Sequence, residues 1–303
     1  MTDDASPTRC GYVALIGAPN AGKSTLLNAV VGTKVAIVSP KVQTTRSRVL
    51  GIAMEGQTQI VFVDTPGIFE PRRRLERAMV AAAWEGADDA DLVMLLIDVT
   101  APKVRPETMA IVERLKDFRR PSMLVLNKVD AVSPPKLLEM AALLNDAGRF
   151  EETFMISALK GDGVDRLRRT VADRLPEGPW LFPEDQLSDM PERLLAAEVT
   201  REKLFLRLHQ ELPYSIAVET ESWEEFQDGS TRIAQVIYVQ RESQKPIILG
   251  RGGQTIKAVG AAARKELEEM LERRVHLSLY VKVRENWIDD PDRYRDWGLN
   301  FNA

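Results

Sequence analysis

Cysteine is nearly absent. Cys10 is the single one among 303 residues, so no internal disulfide can form, and the composition fits a reducing compartment. Cys10 sits just before an apolar run, which makes it a packing residue rather than a reactive thiol. Histidine is scarce too. His209 and His276 are the only two, and neither has a partner at metal-ligand or triad spacing, so both read as structural. No apolar run approaches the ~18 residues that span a bilayer. The opening "MTDDASPTRCGY" has neither the basic head nor the apolar core of a secretory leader. Excess positive charge is missing as well: the net charge is −4, no sign of indiscriminate nucleic-acid capture.

What is present suffices for about two domains of ~150 residues each, with 44% hydrophobic and 28% charged residues, ordinary values for a globular chain. From 12 to 175, apolar runs ("YVALIG", "TQIVFVD", "DLVMLLIDV", "SMLVLNKV", "TFMISA") alternate with helix-length amphipathic segments such as 106–117 and 134–146. Continuous apolar runs between helices imply a mostly parallel sheet covered on both faces. "VLGIAMEGQTQIVFV" reads as a hairpin turning at Glu55-Gly56, so one strand is expected to be antiparallel. "PEGPWLFPEDQLSD", proline-rich and without periodicity, marks a linker over 176–189. There Trp180 and Phe182 are expected to pack one domain on the other. The expectation is therefore a first α/β domain over 1–175 and a smaller α+β domain over 190–303. In the second, the order reads helix (190–209), strand (214–226), strand (232–241), glycine loop, helix (254–273), strand. The acidic "DDPDRYRD" near the C-terminus reads as a solvated end.

"GAPNAGKST" follows the first apolar run and opens a helix. Gly17 and Gly22 admit close approach to phosphate, and the backbone amides of Ala18, Pro19's successor Asn20, and Ala21 face an anion at a helix N-terminus. Lys23 would reach the terminal phosphates, the Ser24 hydroxyl would bind Mg2+, and Thr25 continues the loop into the helix. "DTPG" supplies Asp64 for the metal, then Thr65, Pro66 and Gly67, whose amide can sense the terminal phosphate. In "QTTR", Gln43 to Arg46, Thr45 can complete the Mg2+ shell. In "NKVD", Asn127, Lys128, Val129 and Asp130 follow a strand. The Asp130 carboxylate can accept from the N1–H and 2-amino groups of guanine, which adenine lacks. The Lys128 stem can lie along the base. In "SALKG", Ser157 precedes Ala158, whose amide can meet guanine O6. Four of these motifs, the phosphate loop, "DTPG", "NKVD" and "SALKG", stand at strand C-terminal ends, where open α/β sheets bind ligands. The expectation is a guanine-nucleotide-binding switch whose Thr45 and Gly67 loops order around GTP. An ATPase or kinase reading is disfavoured by "NKVD".

With "PNAGKSTLLN", "QTTR", "DTPG", "NKVD" and "PWLFPEDQ", the chain from about residue 11 to its end resembles the Era family, within the translation-factor-related GTPases. Ile68 follows "DTPG" where many such switches carry a water-orienting glutamine, so slow intrinsic hydrolysis is expected. The resemblance implies a K+ ion beside Asn20, next to the phosphates, acting as an added positive charge. Lys23, Thr45, Gly67 and Asn20 are the residues expected to act on the reaction.

The second constellation is "IILGRGGQTIK". It lacks G-K-[ST], so a second nucleotide loop is not expected. A G-x-x-G loop (Gly250, Arg251, Gly252, Gly253) opening a helix is how a KH module clamps the backbone of single-stranded RNA. Here Ile256 would line the base side and Lys257 supply charge. The domain over 181–303 carries more acid than base, but 241–265 gathers Arg241, Lys245, Arg251, Lys257, Arg264 and Lys265 against Glu242. A local basic stripe on an acidic body fits a narrow RNA groove. The element order fits the bacterial form of KH. The resemblance implies binding near the 3′ end of small-subunit ribosomal RNA, a role in small ribosomal subunit assembly, a monomer, a cytoplasmic location, and leaves the inner face of the cell membrane open as a further contact. The other reading is a switch whose KH-like domain binds protein or the membrane surface. "EPRRRLER", Glu70 to Arg77, reads as an exposed loop and helix start. In the mechanism expected, GTP and Mg2+ order the Thr45 and Gly67 loops and reposition the second domain through the linker.

Overall fold

The computed structural model describes residues 7–41, 44–208, 212–285 and 287–303. Gln43 and His209 lie outside these. Two compact units result, one of residues up to 36 together with 45–189 and 297–303, the other of 37–44 together with 190–296.

The first unit runs β1 (Arg9–Ile16), α1 (Lys23–Val31), β2 (Val49–Glu55), β3 (Thr58–Asp64), α2 (Arg74–Asp89), β4 (Leu92–Asp98), α3 (Pro106–Leu115), β5 (Ser122–Asn127), α4 (Pro134–Ala147), β6 (Glu152–Ile156) and α5 (Val164–Arg174). Its six-stranded sheet has the order β2-β3-β1-β4-β5-β6. Only β2 is antiparallel to its neighbour β3, and their turn uses Gly56 at φ 57, the left-handed geometry a tight hairpin needs. The central strands β3 and β5 are wholly buried, and β4 is buried up to the half-buried Asp98 at its end, as their apolar runs require. Between the sheet and its helices lie Ile16, Val93, Leu95, Leu124 and Leu126, packed against Ala83, Ile111 and Leu144.

Two expectations change here. Residues 176–189 pack on the first unit. The fully buried Gln59 side chain accepts from the Leu181 and Phe182 amides (2.9 and 3.0 Å) and donates to the Phe182 carbonyl (2.8 Å). Phe182 lies on the Cys10, Leu50, Val61, Val63 cluster, and the Trp180 indole donates to the Gln57 carbonyl. Both aromatics thus make contacts within the first unit, Phe182 in its core and Trp180 on the Gln57 carbonyl. Cys10 is buried, as expected, and its thiol pKa is raised by that burial. At the C-terminus, Arg74 lies over the Phe301 ring at 4.5 Å and Arg46 over Trp297 at 5.9 Å.

The second unit runs α6 (Glu192–Arg207), β7 (Ile216–Glu225), β8 (Thr231–Val239), α7 (Lys245–Leu249), α8 (Gln254–Leu271), β9 (Val275–Val283) and α9 (Pro291–Asp296). β7 and β8 are antiparallel, and β8 and β9 parallel. Leu204, Phe205, Ile237, Ile248 and Val259 form the centre of its core. Residues 37–41 and 44 belong to this unit. Glu202 accepts from the Val38 amide (2.8 Å), Lys41 donates to the Phe205 and Leu208 carbonyls at the C-terminal end of α6, and buried Arg201 donates to the Thr44 carbonyl. A lysine on those carbonyls offsets the negative end of the helix dipole. The "IIL" before the glycine loop proves to be the short helix α7. The acidic end is not simply solvated: it forms α9, with Trp287 and Tyr294 fully buried and Arg293 paired with Glu219 (2.6 Å) between the Tyr238 and Trp287 rings.

Candidate nucleotide and nucleic-acid sites

The phosphate loop leaves β1 at Gly17. A Cβ there would lie 2.4 Å from the Leu96 carbonyl, and one at Gly22 would lie 2.2 Å from Asn127 Nδ2, so only glycine lets the loop close this tightly. Gly22 caps α1 at φ 98, and the α1 N-terminus supplies unpaired amides and its positive dipole end. Lys23 is buried and donates to the Gly17 and Ala18 carbonyls (3.2 and 3.3 Å). Burial depresses its pKa, with the Asp64 charge opposing. A buried ammonium whose carbonyl bonds are long can share its protons with an anion in the loop. Gly67 is held against Pro19, where a Cβ would come within 2.9 Å of backbone atoms. The Ile68 amide donates to the Gly17 carbonyl at 3.0 Å, and its side chain is buried. Thr65 is buried with its hydroxyl on the Leu15 carbonyl at 2.7 Å, and Pro66 is buried beside it.

Three oxygens expected to serve one metal do come together. Ser24 Oγ lies 2.6 Å from Asp64 Oδ2 and 3.0 Å from Thr45 Oγ1, and Thr45 Oγ1 lies 3.3 Å from Asp64 Oδ2. Asp64 Oδ1 is buried with no hydrogen-bond partner among the described residues. Burial raises the Asp64 pKa against the pull of Lys23, Ser24 and Thr45. Two hydroxyls and a carboxylate with a spare oxygen fit a hard, oxygen-preferring divalent cation that also takes phosphate oxygens. No group of three His, Cys, Asp or Glu side chains suited to a metal occurs among the described residues, and phosphate oxygens and water would complete such a shell.

The base side is built around Asn127 at the end of β5. Its Nδ2 donates to the Ala21 carbonyl (2.8 Å), and its Oδ1 accepts from the Lys128 and Ala158 amides (2.8 and 3.0 Å). One buried amide thus ties together the three loops that carry Ala21, Lys128 and Ala158. Lys128 stands at φ 69, Val129 starts a single helical turn, and Asp130 points from that turn. Ser157 and Lys160 hold the Asp130 carboxyl below its ordinary pKa, the Ser157 hydroxyl most strongly, and Lys160 Nζ lies 3.2 Å away. Lys160 lies within "SALKG" but was given no role there, and Asp98 belongs to none of the motifs. Asp98 reaches Lys128 Nζ at 2.6 Å; partial burial pushes its pKa up, and its bonds to Lys128 and Thr100 outweigh that and hold it down.

In the second unit, Gly250 adopts φ 73, ψ 172, a region open essentially to glycine alone. A Cβ there would lie 2.1 Å from Thr255 Oγ1. Gly252 and Gly253 are also left-handed, and Gly253 caps α8. Arg251 is exposed. Beyond the loop, Ile256, Lys257, Gly260, Ala261 and Arg264 of α8 face Leu277 and Leu279 of β9 across an open groove of about 320 Å³. Ile256 and Lys257 stand where the sequence puts them. The β9 leucines have no motif, since only the sheet register brings them opposite α8.

A glycine-bounded loop that opens a helix beside the Asn127 to Asp130 turn, followed by a helix-flanked three-stranded sheet with a G-x-x-G loop, is the arrangement of a GTPase joined to a KH domain. The family described as "50S ribosome-binding GTPase" matches residues 12–128, and the KH domain family matches residues 211–288. GTPase Era of Rhizobium meliloti (strain 1021) is 64% identical over 98% of this chain and 95% of its own length. GTPase Era of Brucella suis biovar 1 (strain 1330) is 61% identical over 98% and 96%. Among solved structures, a point variant of Aquifex aeolicus Era bound to GDP.AlF4- superposes with a TM-score of 0.88 at 42% identity, covering 96% of this chain and 99% of the other. Era in complex with MgGDPNP and nucleotides 1506-1542 of 16S ribosomal RNA gives 0.89 at the same identity and coverage. The chain belongs to the Era family of GTPases.

Proposed function

We propose that this GTPase binds the 3′ region of small-subunit ribosomal RNA through its KH domain and acts in assembly and maturation of the 30S subunit. The observation that carries the reading is the presence on one chain of two intact sites: the Ser24–Thr45–Asp64 oxygen cluster under a guanine pocket, and a G-x-x-G loop opening on an apolar groove edged by Lys257 and Arg264. The relative crystallised with 16S ribosomal RNA covers nearly the whole chain and supports the same partner.

Ser24, Thr45 and Asp64 would hold Mg2+, which neutralises charge on the terminal phosphates. Lys23 and the loop's backbone amides between Gly17 and Thr25, Pro19 excepted, bind the phosphates, and the Gly67 amide faces the terminal one. Asp130, with Asn127, Lys128, Ser157 and Ala158, selects guanine. Ile68 is buried and cannot orient water, so hydrolysis is slow, and a K+ ion beside Asn20 would add positive charge next to the phosphates. Thr45 follows directly on Thr44, which with Val38 and Lys41 is bonded to α6 of the second unit. We place nucleotide-dependent coupling in that segment rather than in 176–189, which Gln59 fixes to the first unit. The reading places the protein in the cytoplasm as a monomer, with any contact to the inner membrane face peripheral; no helix among the described residues is long and apolar enough to cross a membrane.

The test is a double substitution, Arg251→Asp with Gly252→Asp, at exposed loop positions with open space around Gly252. It should abolish binding to a single-stranded fragment of the 3′ end of 16S ribosomal RNA and leave GTP affinity unchanged. RNA binding that survives the double substitution would contradict the assignment, and a protein or membrane partner for the second domain would then take first place.

A further inference from the structure

Lys128 and Asn20 both hold left-handed backbone, at φ 69 and 64. Asparagine visits that region readily and lysine does not. One hydrogen bond joins the two loops they belong to: Lys128 Nζ donates to the Asn20 carbonyl at 2.9 Å. The same ammonium meets Asp98 Oδ2 at 2.6 Å. Asp98 is the last residue of β4 and stands beside Asn127 in the β4–β5 register. Its Oδ1 accepts from the amide and the hydroxyl of Thr100, at 2.9 and 2.6 Å. The carboxylate is thus oriented by its own turn before it meets the lysine.

That geometry has a purpose that the nucleotide motifs do not cover. A lysine side chain has four rotatable bonds, and the Lys128 side chain is 37% exposed, so solvent competes for its ammonium. Only a fixed anion on the far side of the phosphate loop selects the rotamer that spans from the base-binding strand to Asn20. A hydrogen bond to a charged partner is about twice as strong as a neutral one, and Asp98 is the carboxylate placed to make it.

We propose that Asp98 is a positioning residue for nucleotide binding: it holds the Lys128 ammonium on the Asn20 carbonyl and so sets the base-facing stem of Lys128 and the phosphate loop in one geometry. The inference rests on the guanine-nucleotide reading of the site. Asp98 touches no nucleotide atom itself; it acts through Lys128. Both GTP and GDP share the base and the inner phosphates, so both depend on it equally.

The experiment is a double-mutant cycle on the full chain, with GDP and a non-hydrolysable GTP analogue titrated in Mg2+ against wild type, Asp98→Asn, Lys128→Met and the combination. Asparagine keeps the size of Asp98 and its acceptor for Thr100, so folding is preserved. Asp98→Asn should weaken both nucleotides about tenfold, and in steady-state hydrolysis the loss should fall on KM for GTP more than on kcat. On the Lys128→Met background the same substitution should change affinity by less than about twofold, because its route is already cut. An unchanged affinity in Asp98→Asn, or a full tenfold loss repeated on the Lys128→Met background, would overturn the proposal while leaving the guanine reading intact. A wild-type chain that binds neither nucleotide would overturn both.

Discussion

Ser24 Oγ stands 2.6 Å from Asp64 Oδ2, and the two residues arrive there from different strands, one through the phosphate loop and the other at the end of β3. The parallel pairing of β1 with β3 fixes that meeting, since Leu15 is level with Asp64. The meeting of these two oxygens, proposed to hold Mg2+, is therefore a product of sheet register. Ser24→Ala should remove one hydroxyl and lower Mg2+-dependent GTP affinity by about 10–100-fold. Titrations with Mg2+ and with EDTA check it: the variant should lose the gain that Mg2+ gives wild type, and an undiminished gain would remove Ser24 from the shell.

Asp130 presents its carboxylate beside Ser157 and Lys160. Asp130→Asn replaces one acceptor with a donor that opposes the guanine N1–H. GTP affinity should fall by at least about 100-fold, and xanthine nucleotides, with a carbonyl at that edge, should regain it. Competition between GTP and XTP reads this out, and a variant that still prefers GTP would refute base selection by this carboxylate.

The Asp98–Lys128 pair makes a pH prediction. A carboxyl whose folded pKa is lowered binds its proton less tightly folded than unfolded. Its stabilisation is present above its ordinary value of 3.8 and is lost as pH falls through the lowered folded value. The difference in thermal stability between wild type and Asp98→Asn should be constant from about pH 8 to 5 and vanish at more acid pH. A difference that grows toward acid would contradict the pairing.

Gly250→Ala places a Cβ 2.1 Å from Thr255 Oγ1 and 2.8 Å from the Thr255 amide nitrogen, at a backbone φ of 73. The backbone atom cannot step aside, so the loop must change shape. RNA affinity at fixed salt should fall about tenfold while GTP affinity stays. Filter binding on both ligands decides it, and full RNA affinity in this variant would show that the loop's shape is not what RNA reads.

Gln59→Leu removes three hydrogen bonds that hold Leu181 and Phe182. With those backbone groups left unpaired, the first unit should lose about 3 kcal/mol. Chemical denaturation measures this, and a loss under about 1 kcal/mol would mean the 176–189 segment is not anchored there.

Much of this was legible in the sequence because the phosphate loop's chemistry dictates its backbone: Gly17 and Gly22 are required because a Cβ at either would lie within 2.4 Å of a neighbouring atom, and such glycines leave a local signature. The β2–β3 hairpin was legible through Gly56, which a tight turn needs for its positive φ of 57. The anchoring of 176–189 was not. Three prolines and no periodicity look like a linker, and the residue that holds the segment, Gln59, lies more than 100 positions away on a buried strand. Asp98 was hidden likewise, paired with a lysine 30 residues on. The acidic end misled because charge dominates its composition, while Trp287 and Tyr294 decide its fate by burial.

The most direct test of the account is the affinity of the purified chain for a single-stranded fragment of the 3′ end of 16S ribosomal RNA, measured at one salt concentration with a non-hydrolysable GTP analogue and again with GDP. The account predicts binding that is tighter with the GTP analogue. Equal affinity in the two states would contradict the switch, and no binding in either would contradict ribosomal RNA as the partner of the KH domain.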